Sequence, residues 1–316
     1  METNKQISSV NNSADEPTHY HTPVLLKETV DGLNIDPAGI YVDCTFGGGG
    51  HAKAILQQLN DQGKIFVFDQ DADAAVNKPE DGRMTFIPQN FRNLQRFLRL
   101  HKVTQVNGIL ADLGVSSHQF DKADRGFSTR FDASLDMRMD QRQTNTAATL
   151  LSNYSEQQLH KMFELYGEVT NAKTLARTIV EKRTVAPLRT ISEFKSAVHS
   201  IVKGNPQKYF AQVFQALRIA VNDEFGALQE LLQQTPSLLI PGGRIAIISF
   251  HSLEDRLVKN FFRSGTFTEA ASDDVYGTRT EGPFNILTKK PITASEKELK
   301  TNSRSRSARL RIAEKK

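Results

Sequence analysis

The stretch Tyr41-Val42-Asp43-Cys44-Thr45-Phe46-Gly47-Gly48-Gly49-Gly50-His51 is the most informative part of this chain for predicting its fold. Its apolar start predicts a buried strand, its four glycines a tight turn, and the amphipathic stretch Ala52–Leu59 a helix. A glycine turn between a strand and a helix is typical of a nucleotide-binding βαβ unit, because residues without Cβ let a ligand approach the backbone. The stretch therefore favours a nucleotide or nucleoside site.

A second acid supports a nucleoside ligand. The next predicted strand, Lys64–Asp69, ends in Asp69, nineteen residues after Gly50. A carboxylate at this place accepts hydrogen bonds from the hydroxyls of an adenosine ribose. The glycines alone would also fit a structural loop, but glycines, strand and acid in this order favour a nucleoside cofactor.

The glycine spacing and a further acid indicate which cofactor. The run is not the spaced G-x-G-x-x-G that cradles a pyrophosphate, and Asp43 lies just before it. A carboxylate there repels phosphate but suits a cationic amino group. S-adenosylmethionine carries a sulfonium, an ammonium group and an adenosine, so these residues favour it over NAD.

Length and composition are those of an ordinary globular protein. The chain has 316 residues, 38% of them hydrophobic and 24% charged. No apolar run approaches the roughly 20 residues that span a bilayer. Residues 1–18 are polar and lack the apolar core of a signal peptide, so a disordered tail is predicted there. The single cysteine, Cys44, excludes a disulfide framework. A cytoplasmic protein without membrane association is expected.

The order of predicted elements favours an α/β fold with a doubly wound parallel sheet. Short apolar strands alternate with helical stretches, first near the N-terminus and again in the last third of the chain. The predicted strands are Tyr41–Thr45, Lys64–Asp69, Met84–Pro88, Val106–Asp112, Arg244–Phe250, Phe284–Thr293 and Ala308–Ala313, and the predicted helices are Phe91–His101, one long helix at Phe214–Leu232, and Leu253–Phe262.

A helical segment interrupts this alternation. Capping boxes at Ser155–Gln158 and Thr190–Glu193 each predict the start of a helix, and a third helix is predicted at Ala172–Lys182. An inserted helical subdomain for substrate recognition is therefore expected, and its exposed surface is a candidate homodimer interface. The predicted domains are the sheet domain, 19–144 with 211–316, and the insert, 145–210.

Three acids are predicted to meet at the carboxyl edge of the sheet. Asp43, Asp69 and Asp112 each end a strand, and ligands of doubly wound sheets bind at this edge. Like charges in one crevice repel one another unless a cation binds among them. A metal ion is the alternative, but no accompanying set of histidine and carboxylate ligands is evident, so no metal site is predicted.

Six ordered motifs carry a family resemblance. They are His21–Leu26, Thr45–His51, Asp112–Ser117, Leu135–Asp140, Phe214–Ile219 and Ile247–Arg256. Together they resemble the bacterial 16S rRNA (cytosine-N4)-methyltransferases, the RsmH or MraW family, from about His21 to the C-terminus. The resemblance implies a class I, Rossmann-like S-adenosylmethionine-dependent methyltransferase sheet with an inserted helical subdomain. The implied reaction is methylation of the N4 amine of a decoding-centre cytidine in 16S rRNA, either free or within the small ribosomal subunit.

The resemblance also implies a cofactor site. For Phe91, placed beside the adenine, packing in the core is the alternative interpretation, and for Gln119 the alternative is an exposed loop amide. Asp69 is placed at the ribose. The implied cofactor-binding residues are Gly49, Gly50, His51, Asp69, Phe91, Asp112 and Gln119.

The sequence does not single out a catalytic residue. The N4 nitrogen of cytosine is a poor nucleophile because its lone pair is delocalised into the ring. Many amino methyltransferases place an Asp or Asn, two prolines and an aromatic residue at the end of the fourth strand, whereas this chain has Asp112-Leu113-Gly114-Val115. Most of the rate is therefore expected from holding methyl group and amine in line, roughly 3–3.5 Å apart. His251, at another strand end, is either a substrate contact or a hydrogen-bonded structural residue.

Two charged segments each allow two interpretations. Asp121–Arg142 holds five acids and five bases, and it either grips the RNA strand or forms a salt-bridged lid anchored by Phe127 and Phe131. Residues 289–316 hold ten Lys or Arg and three acids, a net charge of +7. They either lie on a nucleic-acid backbone or form a solvated tail. In the first case, removing residues 301–316 is expected mainly to weaken RNA affinity.

Two other functions remain open beside methylation. A non-catalytic RNA-binding assembly factor with a vestigial cofactor fold would share the same motifs. An NAD-linked oxidoreductase is disfavoured by the unspaced glycines and by Asp43.

Overall fold

The computed structural model describes residues 23–116, 119–120, 122–130, 132–268 and 282–316. The predictions for residues 1–18 and Phe131 lie outside the described residues. Within them the strands are β1 (Ile40–Asp43), β2 (Lys64–Phe68), β3 (Met84–Ile87), β4 (Val106–Asp112), β5 (Leu239–Ser249), β6 (Phe284–Ile286) and β7 (Arg309–Lys315).

The helices of the described residues cover this sheet and form the insert. They are α1 (Leu26–Leu33), α2 (Gly50–Leu56), α3 (Leu94–Leu100), α4 (Ala147–Asn153), α5 (Glu156–Gly167), α6 (Ala172–Arg183), α7 (Ile191–Val198), α8 (Pro206–Asn222), α9 (Glu224–Leu238), α10 (Ser252–Ser264) and α11 (Glu296–Thr301). Every strand predicted from the sequence is present, although Phe284–Thr293 is reduced to three paired residues in β6.

The strands form one sheet in the order β3-β2-β1-β4-β5-β7-β6. Strands β1 to β5 pair in parallel, while β7 runs antiparallel to β5 and β6 antiparallel to β7. Chain order reverses between β1 and β4, which leaves a crevice at their carboxyl ends. The prediction of a doubly wound α/β sheet is confirmed.

Alternate residues of the strands pack into two separate apolar clusters. In β2, Ile65 and Val67 belong to one cluster and Phe66 and Phe68 to the other. Successive side chains of a strand point to opposite faces, and both faces of a parallel sheet are covered by helices. The strands therefore had to be almost continuously apolar, which made them visible in the sequence.

The predicted long helix at Phe214–Leu232 is wrong. The structure has two helices there, α8 and α9, separated by Asp223, whose φ is +47°. A residue in the left-handed region ends an α-helix, and aspartate tolerates this conformation better than most residues. The apolar pattern continues through the break, so periodicity alone did not reveal it.

The insert has an apolar core of its own. Both predicted capping boxes are present, since Ser155 and Thr190 each exchange hydrogen bonds with the residue three positions later. The cluster extends beyond the predicted limits, from Phe127 to Val221. The division of the chain into domains stays a prediction.

The basic C-terminal region contributes a strand to the sheet. Leu310, Ile312 and Ala313 of β7 are buried, and the guanidinium group of Arg311 donates to both oxygens of the buried Asp255 at 2.6 and 3.0 Å. A solvated tail is therefore the wrong interpretation for residues 309–315. Removing residues 301–316 would expose the edge of β5, so we expect unfolding rather than a selective loss of RNA affinity.

Candidate active site

A cavity of about 1010 Å³ opens at the carboxyl ends of β1, β2, β4 and β5. Six of the seven predicted cofactor residues line it, and Gly49 does not. Gly47 and Gly48, which are not among the implied cofactor-binding residues, do line it. Side chains that the sequence did not single out also contribute, namely Asp71, Asn90, Phe120, Arg218, Glu224, Glu254 and Arg304.

The glycine turn places backbone, not side chains, against the cavity. Gly49 has a φ of +76° and caps the N-terminus of α2, and a Cβ there would lie 2.8 Å from the ring of Phe46. Only glycine adopts this conformation and fits this contact without strain. Gly49 is therefore required by the turn, whereas the neighbouring Gly47 and Gly48 present the surface that a ligand meets.

Asp69 is held by two backbone groups at the end of β2. Its Oδ2 accepts a hydrogen bond from the Gly47 N–H at 2.8 Å, and its Oδ1 accepts one from the Asp71 N–H at 2.9 Å. Burial raises the pKa of this carboxyl to about 6, even though these hydrogen bonds favour the ionised form. Each oxygen keeps a second lone pair, so the carboxylate can still accept from two ribose hydroxyls.

The imidazole of His51 lines the cavity and is uncharged. Its Nε2 lies 3.0 Å from the carbonyl oxygen of Val24, which can only accept, so Nε2 carries the proton. Burial lowers the pKa of the imidazole to about 4. Its Nδ1 is therefore unprotonated, and it lies 3.8 Å from Asp112 Oδ2 without supplying a positive charge.

Asp112 and Asp43 are acids in need of a cationic or donor partner. Asp112 Oδ1 is buried without a hydrogen-bond partner among the described residues. Burial, followed by the charges of Asp43 and Glu254, raises the pKa of Asp112 well above its usual range. Burial likewise raises the pKa of Asp43 to about 7, although its Oδ1 accepts from the Thr45 N–H at 3.0 Å. Asp112 lines the cavity, whereas Asp43 does not. A bound ammonium group would satisfy the unpartnered Asp112 oxygen, so this residue fits S-adenosylmethionine.

The remaining two predicted cofactor residues shape the cavity. Phe91 is half-buried, lines the cavity and packs against one of the sheet's apolar clusters, so its core-packing interpretation also applies. Gln119 is buried: its Oε1 accepts from the Ser116 N–H at 3.1 Å and its Nε2 donates to Asp71 at 2.9 Å. An exposed loop amide is therefore the wrong interpretation for Gln119.

A network of ion pairs forms the wall below the end of β5. Arg218 of α8 donates from Nε and Nη2 to the two oxygens of Glu224 at 2.9 and 3.0 Å. Glu254 Oε2 accepts from the Phe250 N–H at 3.1 Å, and its Oε1 lies 3.1 Å from His251 Nε2. Burial opposes ionisation of Glu254, but His251 and Arg218 outweigh it and hold its pKa below the usual range. Glu254 lines the cavity and His251 does not. His251 supports this residue by accepting, at Nδ1, a hydrogen bond of 3.3 Å from the Glu254 backbone N–H.

Most of the charged loop Asp121–Arg142 is tied down by ion pairs. Arg138 and Arg142 each pair through two nitrogens with the acid two residues earlier. Arg125 is buried and donates to Asp71 at 3.1 Å, and Phe127 belongs to the apolar core of the insert. The salt-bridged interpretation therefore holds for these residues.

Among the described residues, no group of three or more histidine, cysteine, aspartate or glutamate side chains is arranged to hold a metal ion. The helices in this part of the chain are all too short or too polar to cross a membrane.

Comparison with known proteins places the chain in one family. The "Ribosomal RNA small subunit methyltransferase H" of Christiangramia forsetii is 52% identical over 297 residues, which cover 94% of this chain and 98% of that protein. The protein of the same name from Bacteroides fragilis strain YCH46 is 50% identical over 303 residues, 96% of this chain and 99% of that one.

Solved structures give more distant likenesses. An rRNA methylase from Streptococcus thermophilus superimposes with a TM-score of 0.40 at 11% identity, over 91% of this chain and 94% of that one. A family model described as the MraW methylase family matches residues 18–316. The chain therefore belongs to the MraW methylase family, and its cofactor is S-adenosylmethionine.

Proposed function

We propose that this chain transfers a methyl group from S-adenosylmethionine to the N4 amine of a decoding-centre cytidine in 16S rRNA. Its family membership, and the names of relatives that are about half identical to it, support methylation of small-subunit rRNA. The finer choice of cytosine N4 is supported by one observation, the ion-pair network of Arg218, Glu224 and Glu254 in the cavity wall.

This network complements the edge of a cytosine. Cytosine presents an N4 amine, which donates, beside N3 and O2, which accept. A carboxylate such as that of Glu254 accepts from the amine, and a guanidinium such as that of Arg218 donates to the acceptors. Uracil presents an O4 acceptor in place of the amine and would direct it at a carboxylate. The wall therefore favours cytosine over uracil.

The other residues position the reactants. When bound, S-adenosylmethionine supplies an electrophilic methyl group. Asp69 and the glycine turn would hold its nucleoside part, and Asp112 would hold its cationic end at the end of β4. Glu254, at the neighbouring β5 edge, accepts a hydrogen bond from the N4 amine. Such placement in a buried site lowers the barrier by fixing distance and angle before reaction.

Mass mapping of the modified nucleotide tests this function. Small ribosomal subunits that lack the modification are incubated with the protein and labelled S-adenosylmethionine, and the rRNA is digested and analysed. Label on N4 of a single cytidine is expected. Label on a uridine, on a ribose, or on a carbon of the base would overturn the proposal.

The same experiment separates the alternative functions. An assembly factor would bind S-adenosylmethionine, measured by calorimetry, yet leave the rRNA unlabelled. An oxidoreductase would bind NADH more tightly than S-adenosylmethionine. Substrate recognition by the helical insert and a homodimer formed through it stay predictions, and light scattering with and without residues 145–210 measures the second.

A further inference from the structure

The ring of Phe120 lies at the mouth of the cavity between two charged segments of the chain. The guanidinium carbon of Arg130 is 6.0 Å from the ring centre, and that of Arg304 is 5.9 Å from it. Both distances are within the range of cation–π attraction. Phe120 and Arg304 also line the cavity. The charged loop and the basic C-terminal region, which are far apart in sequence, therefore meet at one aromatic ring.

Arg130 differs from the other bases of its loop. Among the described residues, Arg130 has no carboxylate partner. Each of the other four bases has one: Lys122 pairs with Asp73 at 3.1 Å, Arg125 with Asp71, Arg138 with Asp136, and Arg142 with Asp140. Its backbone N–H is bonded to Ser128 Oγ and its side chain is exposed. The ion pairs of the loop thus neutralise its other bases and leave the charge of Arg130 at the surface.

Arg304 reaches the cavity because the last strand runs backwards. In β7 the first residue, Arg309, lies opposite Ser249 at the carboxyl end of β5. The short 3₁₀ segment Ser303–Ser307, which precedes β7, is therefore carried to the edge of the sheet where the cavity opens. An added parallel strand would have brought this basic segment to the opposite edge.

We propose that Arg130 and Arg304 bind phosphates of the RNA strand on either side of the nucleotide that enters the cavity, with Phe120 holding their guanidinium groups in place. Guanidinium groups bind phosphate oxygens through paired N–H donors. Because both lie about 6 Å from the same ring centre, they are close enough to contact one strand. Contact with the ring limits their motion beforehand, so less conformational entropy is lost on binding. This inference rests on the proposed function and names the RNA-contacting residues of that same site.

The salt dependence of RNA binding tests the inference. Affinity of the full chain for an unmodified 16S rRNA transcript is measured by filter binding between 50 and 200 mM salt, for wild type and for the double variant Arg130→Gln, Arg304→Gln. Each phosphate contact to a single strand contributes about 0.7 to the slope of log affinity against log salt. The double variant is expected to lose about 1.4 from this slope, so its salt-induced weakening over this range is ~7-fold smaller.

Three controls give every outcome a meaning. Arg99→Gln changes an exposed base of α3, which leads into the amino end of β4 and lies away from the cavity, and the slope should stay at the wild-type value. Arg130→Lys with Arg304→Lys keeps both charges and should restore most of the slope. The affinity for S-adenosylmethionine, measured by calorimetry, should stay within about twofold of the wild-type value. The double variant removes the charges of Arg130 and Arg304 and leaves the predicted cofactor-binding residues unchanged.

Several results would overturn the inference. A wild-type slope in the double variant, or an equal loss in Arg99→Gln, would show that these arginines do not contact phosphates specifically. A fall in cofactor affinity with an unchanged RNA slope would assign Arg304 to the cofactor instead. Failure of the wild-type protein to label rRNA would refute the proposed function itself, whereas labelling by wild type with an unchanged slope in the variant would refute only this inference.

Discussion

Two sets of acids at the carboxyl edge of the sheet are balanced differently. Asp43, Asp69 and Asp112, at the ends of β1, β2 and β4, have raised pKa values because burial outweighs their few donors. Glu254, at the end of β5, has a lowered pKa because His251 and Arg218 outweigh its burial. Its neighbour Glu224 is intermediate, since burial keeps its pKa raised despite the ion pair with Arg218.

The difference separates a site whose carboxylates lack cationic partners from a site whose carboxylates are already paired with cations. Desolvated carboxylates without a cationic partner cost free energy that a bound cation or donor recovers, so the β1, β2 and β4 edge is suited to a cationic cofactor. Paired carboxylates are fixed by their partners before any ligand arrives, so the β5 edge presents a preformed surface. We therefore expect the cofactor affinity of the first site to depend on pH. We expect the stability of the fold to depend on Arg218, the cation of the second site.

The largest effect is expected from breaking the paired set. Arg218→Met removes the cation and leaves Glu224 and Glu254 buried beside each other, which should destabilise the fold by about 3 kcal/mol. Chemical denaturation of the cofactor-free protein measures this change. Arg256→Met, at an exposed arginine 3.9 Å from Glu168, is the matched control and should change stability by less than about 0.5 kcal/mol. Equal stability of the two variants would show that the network is not an electrostatic unit.

The next largest effect is expected from removing Asp69, one of the acids that lack a cationic partner. Asp69→Ala removes the acceptor of the ribose hydroxyls and leaves the Gly47 and Asp71 N–H groups without theirs. Affinity for S-adenosylmethionine should fall about 100-fold or more, since hydrogen bonds to a charged group contribute roughly 1.5–3 kcal/mol each. Isothermal calorimetry measures the change, with Asp81→Ala as a control at an acid paired with Arg83. Unaltered affinity in Asp69→Ala would place the ribose elsewhere.

A smaller effect is expected from pH. The ionised form of Asp69, whose pKa burial raises to about 6, is the form that accepts hydrogen bonds from the ribose hydroxyls. Affinity for S-adenosylmethionine should therefore fall as the pH drops through 6, by up to about tenfold per pH unit below that pKa. His51, with a pKa of about 4, stays neutral in this range and does not contribute. Calorimetry from pH 5 to 8 measures the profile, and a flat profile would contradict the raised pKa of Asp69.

The smallest effect is on Asp112 in the cofactor-free protein. Its folded pKa is raised, so its contribution to stability is lost progressively as the pH rises from its unfolded pKa, roughly 4, to its folded pKa. Asp112→Asn should therefore stabilise the protein by an amount on the order of 1 kcal/mol at pH 9 and by less at pH 5. Denaturation curves at the two pH values measure the difference. A loss of stability at pH 9 would mean that the carboxylate has a partner that favours its charge.

Much of the sheet could be predicted because its strands are buried on both faces. Lys64–Asp69 and Val106–Asp112 are short, almost continuously apolar runs that end in an acid, and both were placed within one residue. The acids Asp43, Asp69 and Asp112 follow from the same reasoning, since parallel strands end at one edge. The capping boxes at Ser155 and Thr190 are local signals, because the bonds that define them join residues three positions apart.

Other features depend on contacts between distant parts of the chain. The break at Asp223 interrupts no apolar pattern, and it places Glu224 against Arg218. Gly47 rather than Gly49 faces the cavity because the Phe46 ring lies behind Gly49, which fixes the direction of the turn. Neither residue spacing nor composition carries this information.

Local sequence was enough to predict the doubly wound sheet, the glycine turn and the three acids at the carboxyl edge, because each follows from burial or spacing along a short stretch. Only the folded structure shows which acids have cationic partners and which lack one. It also decided that Arg304, near the C-terminus, meets Arg130 at Phe120, since the antiparallel direction of β7 returns the chain to the cavity. Charge balance in a buried site depends on groups far apart in sequence, and only the folded chain brings them within reach of one another.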